Sequence, residues 1–264
     1  MKQLAIIISV VSLVIFSSCE KVISIDLENV AARLVIEGIV DDSGNPTKVT
    51  IGKSSVFSAN NSYPKVSGAA VKIIDDLGNM FLLTEAKTGT YTNASLTGVI
   101  GRTYHLIVTL EGKTYTASST ITRKAKIDSL VIDDNAFGSG LGGSDSKKWI
   151  GVSYADPIGF GDNAQVVQTI NGRHDRMTHV ADDFYSDGGS TQFFITTGKI
   201  KLNAGDTVVE ELRFVDKGVY RYLSGIQNLA DGNTIPENPN SNISGNVLGF
   251  FSAHSSQKKQ IIIR

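Results

Sequence analysis

One residue of this chain is placed for a specific covalent reaction. Cys19 is the sole cysteine among 264 residues, and it follows Phe16-Ser17-Ser18 at the end of an apolar run, Leu4–Phe16, that opens behind Lys2. Those 13 residues are too few to cross a hydrocarbon core, which needs roughly 20, and they fit the apolar region of a secretory leader. Small residues just before a cysteine let a signal peptidase approach. This is the lipobox arrangement of bacterial lipoproteins, with Phe16 where Leu is commoner. The chemistry it implies is thioether attachment of diacylglycerol to Cys19 and N-acylation, palmitate among the acyl groups, after residues 1–18 are removed. Each buried CH₂ contributes about 0.8 kcal/mol, so one acyl chain holds reversibly and several hold firmly. The bland alternative is a small apolar residue near a leader's end.

Other candidates are weaker. Asp182, Asp183 and Asp187 surround a Gly turn (Asp182-Asp183-Phe184-Tyr185-Ser186-Asp187-Gly188-Gly189) and could offer oxygen ligands to Ca²⁺, which takes six to eight. Their spacing matches neither an EF-hand nor a nonapeptide repeat, and an Asx-type turn explains the same residues. His174 and His179 stand five apart, an odd separation that sends them to opposite faces of an extended strand, so one metal cannot take both without a bulge. His105 falls on the polar face of its strand and His254 sits in no motif; all four histidines read as structural or surface residues. Neighbouring Glu210 and Glu211 point to opposite faces and disfavour a glycosidase pair. There is no Gly-x-Ser-x-Gly elbow, no His-Glu-x-x-His and no phosphate loop ending in Lys-Ser/Thr. Gly140-Leu141-Gly142-Gly143 reads as a flexible loop. Trp149, Tyr154, Phe160, Phe184 and Tyr185 could stack on sugar rings, although strand alternation buries most such residues.

The elements that must position these groups are strands. The composition is 41% apolar and 19% charged, against roughly 25% charged in an average soluble domain, which argues against disorder and coiled coil. With 25 basic against 26 acidic residues there is no bulk charge to attract nucleic acid. One cysteine excludes an intrachain disulfide and a cysteine zinc site. Arg33–Val40, Thr47–Gly52, Ala69–Asp75, Asn79–Glu85, Gly89–Thr92, Thr103–Leu110 and Lys113–Ile121 are short β-patterned runs separated by turn residues. Glu111-Gly112 reads as a tight hairpin. Seven strands in this span indicate an immunoglobulin-like or transthyretin-like sandwich over residues 33–122.

Arg123, Lys124 and Lys126 break the pattern, and a second β-rich domain is expected over 127–264. Its strands read as Ile127–Asp134, Lys148–Ala155, Ala164–Ile170, Arg173–Val180, Thr191–Thr197 and Thr207–Val215, with Asn171-Gly172 as the strongest hairpin signal. Thr207–Val215 has apolar residues on both faces and should be covered on both. Val219, Tyr222, Leu223, Ile226, Leu229 and Ala230 predict one helix over 217–231, capped by Asp216 and ended by Gly232. Gly225 inside it costs about 1 kcal/mol relative to Ala, so packing must hold it. Asn246–Ala253 and Gln257–Arg264 read as two closing strands. The fold class is mostly β: two sandwich-like domains after a lipidated tether and first strand over 19–32.

The run Cys19-Glu20-Lys21-Val22-Ile23-Ser24-Ile25-Asp26-Leu27 with Leu34-Val35-Ile36-Glu37-Gly38 resembles the opening of the Bacteroidota lipoprotein family called domain of unknown function 4249. The resemblance continues through Val66–Val71, Gly101–Leu106, Gly205–Val208, Tyr220–Leu223 and Ser241–Phe251. It implies an outer-membrane lipoprotein, of a kind often encoded near TonB-dependent transporters and with no established activity, and it defines no catalytic residues to carry over. The few acids after Cys19 (Glu20, Asp26, Glu28) leave open the cell-surface or the periplasmic face. The expectation is a lipid-anchored envelope protein with a non-enzymatic binding or accessory role, partnered by the membrane, a TonB-dependent transporter and a glycan or peptide ligand, without nucleic acid or cofactor. The alternatives are an envelope hydrolase with its site in the second domain and a structural or adhesive surface module.

Overall fold

The computed structural model describes residues 32–54, 64–133, 149–156, 158–159, 163–175, 177–182, 188–196, 200–230, 232 and 238–264. The leader, Cys19 and the tether lie outside the described residues, as do the loop 135–145, Phe160, Asp183, Phe184, Tyr185 and Asp187. The protein is mostly β, with two sheets and one helix among the described residues.

Seven strands open the fold: β1 (Leu34–Asp41), β2 (Thr47–Lys53), β3 (Ala70–Asp75), β4 (Met80–Lys87), β5 (Thr90–Asn93), β6 (Thr103–Leu110) and β7 (Lys113–Thr120). They pair antiparallel in the order β1-β2-β5-β4-β3-β6-β7. Alternation decides which way each side chain turns. In β6, Tyr104, Leu106, Val108 and Leu110 are buried, whereas Thr103, His105, Ile107 and Thr109 take the other face. The inward residues, among them Ile36, Ile51, Ile73, Tyr91 and Leu106, form one core. Both tight hairpins have positive φ at their two central residues, 50° and 76° at Glu111-Gly112 and 48° and 77° at Asn171-Gly172. That is the type I′ geometry whose twist matches the flanking strands.

The chain then builds β8 (Ser129–Asp133), β9 (Trp149–Asp156), β10 (Asn163–Ile170), β11 (Arg173–His174), β12 (His179–Ala181), β13 (Gly189–Thr196), β14 (Thr207–Val215), helix α1 (Lys217–Ala230) and β15 (Leu248–Ile262). The stretch 173–180, expected as one strand, is two. The Asp175 carboxylate accepts the Met177 amide at 3.1 Å in an Asx turn that bends the chain between them. Strands β8, β9 and β13 form a separate three-stranded sheet. Its inward residues Ile150, Val152 and Ile195 face Val208, Leu212 and Phe214 of β14.

The close of the chain also differs from expectation. One 15-residue strand, β15, stands where two were read. Its first half runs parallel to β1, from Val35↔Leu248 to Asp41↔His254. Its second half runs antiparallel to β14, from Phe214↔Ser255 to Thr207↔Ile262. Phe251 and Ala253 therefore pack in the core of the first seven strands, and Ile263 in that of the later ones. Strand β14, between β10 and β15, is covered on both faces as its sequence requires.

A strap, residues 238–247, lies between β7 and β15. The Ser244 amide donates to the Thr116 carbonyl at 2.8 Å, and the Thr116 amide donates to Ser244 Oγ at 2.9 Å. On the other side the Asn242 carboxamide donates to the Phe251 carbonyl (2.8 Å) and accepts the Phe251 amide (2.9 Å). Ser241 Oγ donates to the Gly249 carbonyl at 2.6 Å. These side chains satisfy strand-edge groups that would otherwise need another strand or water.

Candidate functional site

Helix α1 owes its position to its cap. Asp216 Oδ1 accepts the Gly218 and Val219 amides at 2.8 and 3.0 Å. Its other oxygen accepts the Thr120 amide at 3.1 Å and the Ser119 hydroxyl, and Ser119 Oγ accepts the Ala253 amide at 2.8 Å. One carboxylate thus joins α1 to β7 and, through Ser119, to β15. Val219, Tyr222 and Leu223 bury the apolar stripe against Val180, Val215 and Phe250, and the Tyr222 hydroxyl accepts the Gly249 amide at 3.0 Å.

A second stripe of α1 faces the strap. Gly218, Arg221, Gly225, Asn228 and Leu229 line one wall of a groove of about 560 Å³, and Asn238, Pro239, Asn240, Ser241 and Asn242 line the other. The approach of the walls explains Gly225. A Cβ there would stand 2.9 Å from Pro239 Cβ and 3.2 Å from Cγ, so the strap can lie against the helix only where the side chain is missing. Ser241 and Asn242 are spent on holding β15. Arg221, Asn228, Asn238 and Asn240 have no side-chain hydrogen-bond partner among the described residues. A guanidinium offers five donors, and each carboxamide offers both donors and an acceptor. Such a groove can bind a polar, hydroxyl-rich or carboxylate-bearing ligand. A second groove of about 360 Å³ runs on the other side of Asn238 and Pro239, lined by Glu37, Lys53, Lys65 and Tyr222 among others.

Among the described residues, no three of the acids and histidines singled out from sequence gather into a metal site. Asp182 accepts the Tyr220 hydroxyl at 3.2 Å, and its companions Asp183 and Asp187 lie outside the described residues. His174 Nδ1 meets Thr169 Oγ1 at 2.9 Å, and His179 Nε2 meets Asp175 Oδ2 at 3.1 Å. His105 sits on the outer face of β6 against Ser118 Oγ at 2.7 Å. Among the aromatics, Tyr154 is buried edge-on against Phe214 at 5.6 Å.

Glu210 and Glu211 do take opposite faces, with opposite consequences. Glu210 is fully buried between the two sheets with Gln168 Nε2 donating to it at 2.7 Å. Burial, reinforced by the charge of Asp175, pushes its carboxyl up to about 8. Burial alone would also raise Glu211, but the Arg213 guanidinium donates to both its oxygens at 3.0 Å and keeps the carboxylate below its usual range. His254 is 2% exposed with Ser252 Oγ 2.8 Å from Nδ1. Burial first, and Arg213 second, bring it down to about 4 against the opposing charges of Asp41, Glu211 and Asp42. The two-faced apolar pattern of Thr207–Val215 implied cover over Glu210 and Glu211, whereas no motif marked His254 or the strap groove. The one clue to the groove was the unfavourable Gly225.

The fold and the groove define a class: a two-sheet β protein whose single described helix, with an Asn-rich strap, forms a polar surface cleft. The chain belongs to the family described as Domain of unknown function (DUF4249), which it matches over residues 20–260. Among solved structures it is similar to the two fibronectin type-III domain segment of chicken tenascin, at 12% identity over 88% of this chain and 99% of that one, with a TM-score of 0.25. No curated protein matches it.

Proposed function

We propose that this is a lipid-anchored outer-membrane protein with a non-enzymatic binding or accessory role, serving a TonB-dependent transporter by holding a glycan or peptide in the strap groove. The observation that carries the binding role is the groove itself, lined by one guanidinium and three carboxamides that have no side-chain hydrogen-bond partner among the described residues. In this reading residues 1–18 are a leader and Cys19 is acylated. An immunoglobulin- or transthyretin-like unit from residue 33 stands next to the membrane, and a second unit begins near residue 127. The strap and the first half of β15 return to complete the first unit, so the groove lies where the two units meet. The hydrolase alternative needs converging carboxylates in a cleft. The carboxyl with the strongest upward shift, Glu210, is sealed in a core instead.

The test is a pull-down of the acylated protein from outer membranes, run beside an Arg221→Ala/Asn228→Ala variant. Co-purification of a transporter component by the wild type, depleted in the variant, is expected. Recovery of no transporter component ends the accessory role. Equal recovery by both chains removes the groove from it.

A further inference from the structure

The strand directions place one end of the seven-stranded unit where the tether enters. Strand β1 starts there at Leu34, β2 ends there at Lys53 opposite Leu34, and Lys65 bridges Gly52 beside them. Strand β4 ends there at Lys87, whose turn packs on Ile51 and Lys65 through Gly89. The β6–β7 hairpin ends there at Lys113. Its neighbour Tyr115 lies against Gly245, next to Asn246, which takes the Arg33 guanidinium at 2.7 Å. Arg33, Lys53, Lys65, Lys87 and Lys113 thus share this end with three acids: Glu85, Glu111, and Glu37, which lines one groove with Lys53 and Lys65. Glu85 is spent on the Gly68 and Gly89 amides at 3.3 and 2.8 Å. The loop 55–63, which leaves β2 at this end, carries no charge in its sequence.

At the opposite end, toward the second set of strands, Arg102 and Lys124 are paired with acids of that end, whereas exposed Lys48 has no ion pair among the described residues. Arg102 bridges Asp75 and Asp76 at 2.7 and 3.0 Å, and Lys124 bridges Asp42 at 2.5 Å. Lys53, Lys65, Lys87 and Lys113 are all exposed and have no carboxylate partner among the described residues. Four cations without a carboxylate partner among the described residues, with twelve residues between Cys19 and Ala32 to reach the lipid, fit a surface of negative charge.

We infer that this end is a docking surface for a bilayer bearing anionic phospholipid headgroups, and that it stands the molecule upright on the membrane. The inference rests on the acylation of Cys19 for its geometry but not for its charge. Juxtamembrane cations act only within about a Debye length of the surface, roughly 8 Å at physiological salt. Contact at this end therefore brings all four into play, whereas a molecule lying on its side engages at most a part of them.

The sole cysteine is consumed by acylation, so a single introduced cysteine takes a fluorophore cleanly. In vesicles of phosphatidylcholine and phosphatidylglycerol (7:3) carrying a headgroup quencher, the acylated protein is labelled at Thr114→Cys or at Leu77→Cys on the opposite end. The label at 114 should be quenched several-fold more than that at 77. The difference should shrink in pure phosphatidylcholine, in 0.5 M salt, or after Lys53→Glu/Lys87→Glu/Lys113→Glu. A difference that survives all three belongs to the tether alone and overturns the inference, as does equal quenching at both labels. The mature chain with Cys19→Ser gives the independent arm. It should sediment with the anionic vesicles and not the neutral ones, weakening about fivefold for each cation removed. Equal sedimentation with both overturns the surface. Absence of acyl groups on Cys19 by mass spectrometry overturns the anchor while leaving this arm standing.

Discussion

Glu210 is held between two sheets with one carboxyl oxygen lacking a partner, beside a Gln168 carboxamide oxygen that also lacks one. A proton on the carboxyl supplies the missing donor. Because its pKa near 8 in the fold exceeds the ordinary carboxylate value, the folded state binds the extra proton between pH 4.5 and 8. Its stabilisation is full below 4.5 and is lost as pH rises through 8. Glu210→Gln keeps shape and neutrality, so it should be more stable than wild type at pH 8 by a few kcal/mol and about equal to it near pH 4.5. Urea melts at the two pH values check this, and an advantage independent of pH would assign the effect elsewhere. His254 has the opposite sign. With its folded value near 4 below the ordinary 6.5, its stabilisation is present above pH 6.5 and is lost as pH falls through 4. Its imidazole resonance should titrate with a midpoint near 4, and a midpoint at 6.5 or above rules the burial argument out. A Ca²⁺ ion at Asp182, Asp183 and Asp187 is a separate proposal, which an unchanged melting temperature in millimolar Ca²⁺ would end.

Among the elements, α1 and the strap show how a local cost becomes legible only through packing. In an isolated helix Gly225→Ala gains about 1 kcal/mol. Here the new Cβ meets the Pro239 ring at 2.9 Å, so the variant should lower stability or displace the strap. Pro239→Gly, which removes the nearest atom, should restore the helix gain. Thermal melts of the single and double variants decide it. Strands were readable from sequence because alternation is a local property: Thr103–Leu110 and Thr207–Val215 carry their inward faces in their own residues. The interruption at Asp175 was less so, because an Asx turn competes with pairing through one side chain. The parallel union of β1 with β15 was not readable at all, since its partners are more than 200 residues apart and neither strand's pattern names the other. The groove went unseen although its walls are close in sequence, because the strap carries no pattern that names the helix and only Gly225 marks their approach.

Across the whole molecule, β15 belongs to both cores. Gly249 lies where β15 meets β1, with φ at 96°, and a Cβ there would stand 2.0 Å from the Ile36 carbonyl oxygen. Gly249→Ala should therefore cost more than about 2 kcal/mol. Trp149, the one tryptophan, sits in β9 of the other set of strands, so its fluorescence reports on a region remote from the substitution. The melting temperature seen by Trp149 should fall in the variant together with that of the whole chain. An unshifted tryptophan transition would show the two sets to unfold apart. The same strand has a mechanical meaning. A protein tethered at the start of β1 and tugged through its second unit is pulled at the opposite ends of two parallel strands. The backbone hydrogen bonds joining Val35–Asp41 to Leu248–His254 then bear that load together, in shear, instead of peeling open one after another. Loaded in that direction, the molecule would hold at this joint.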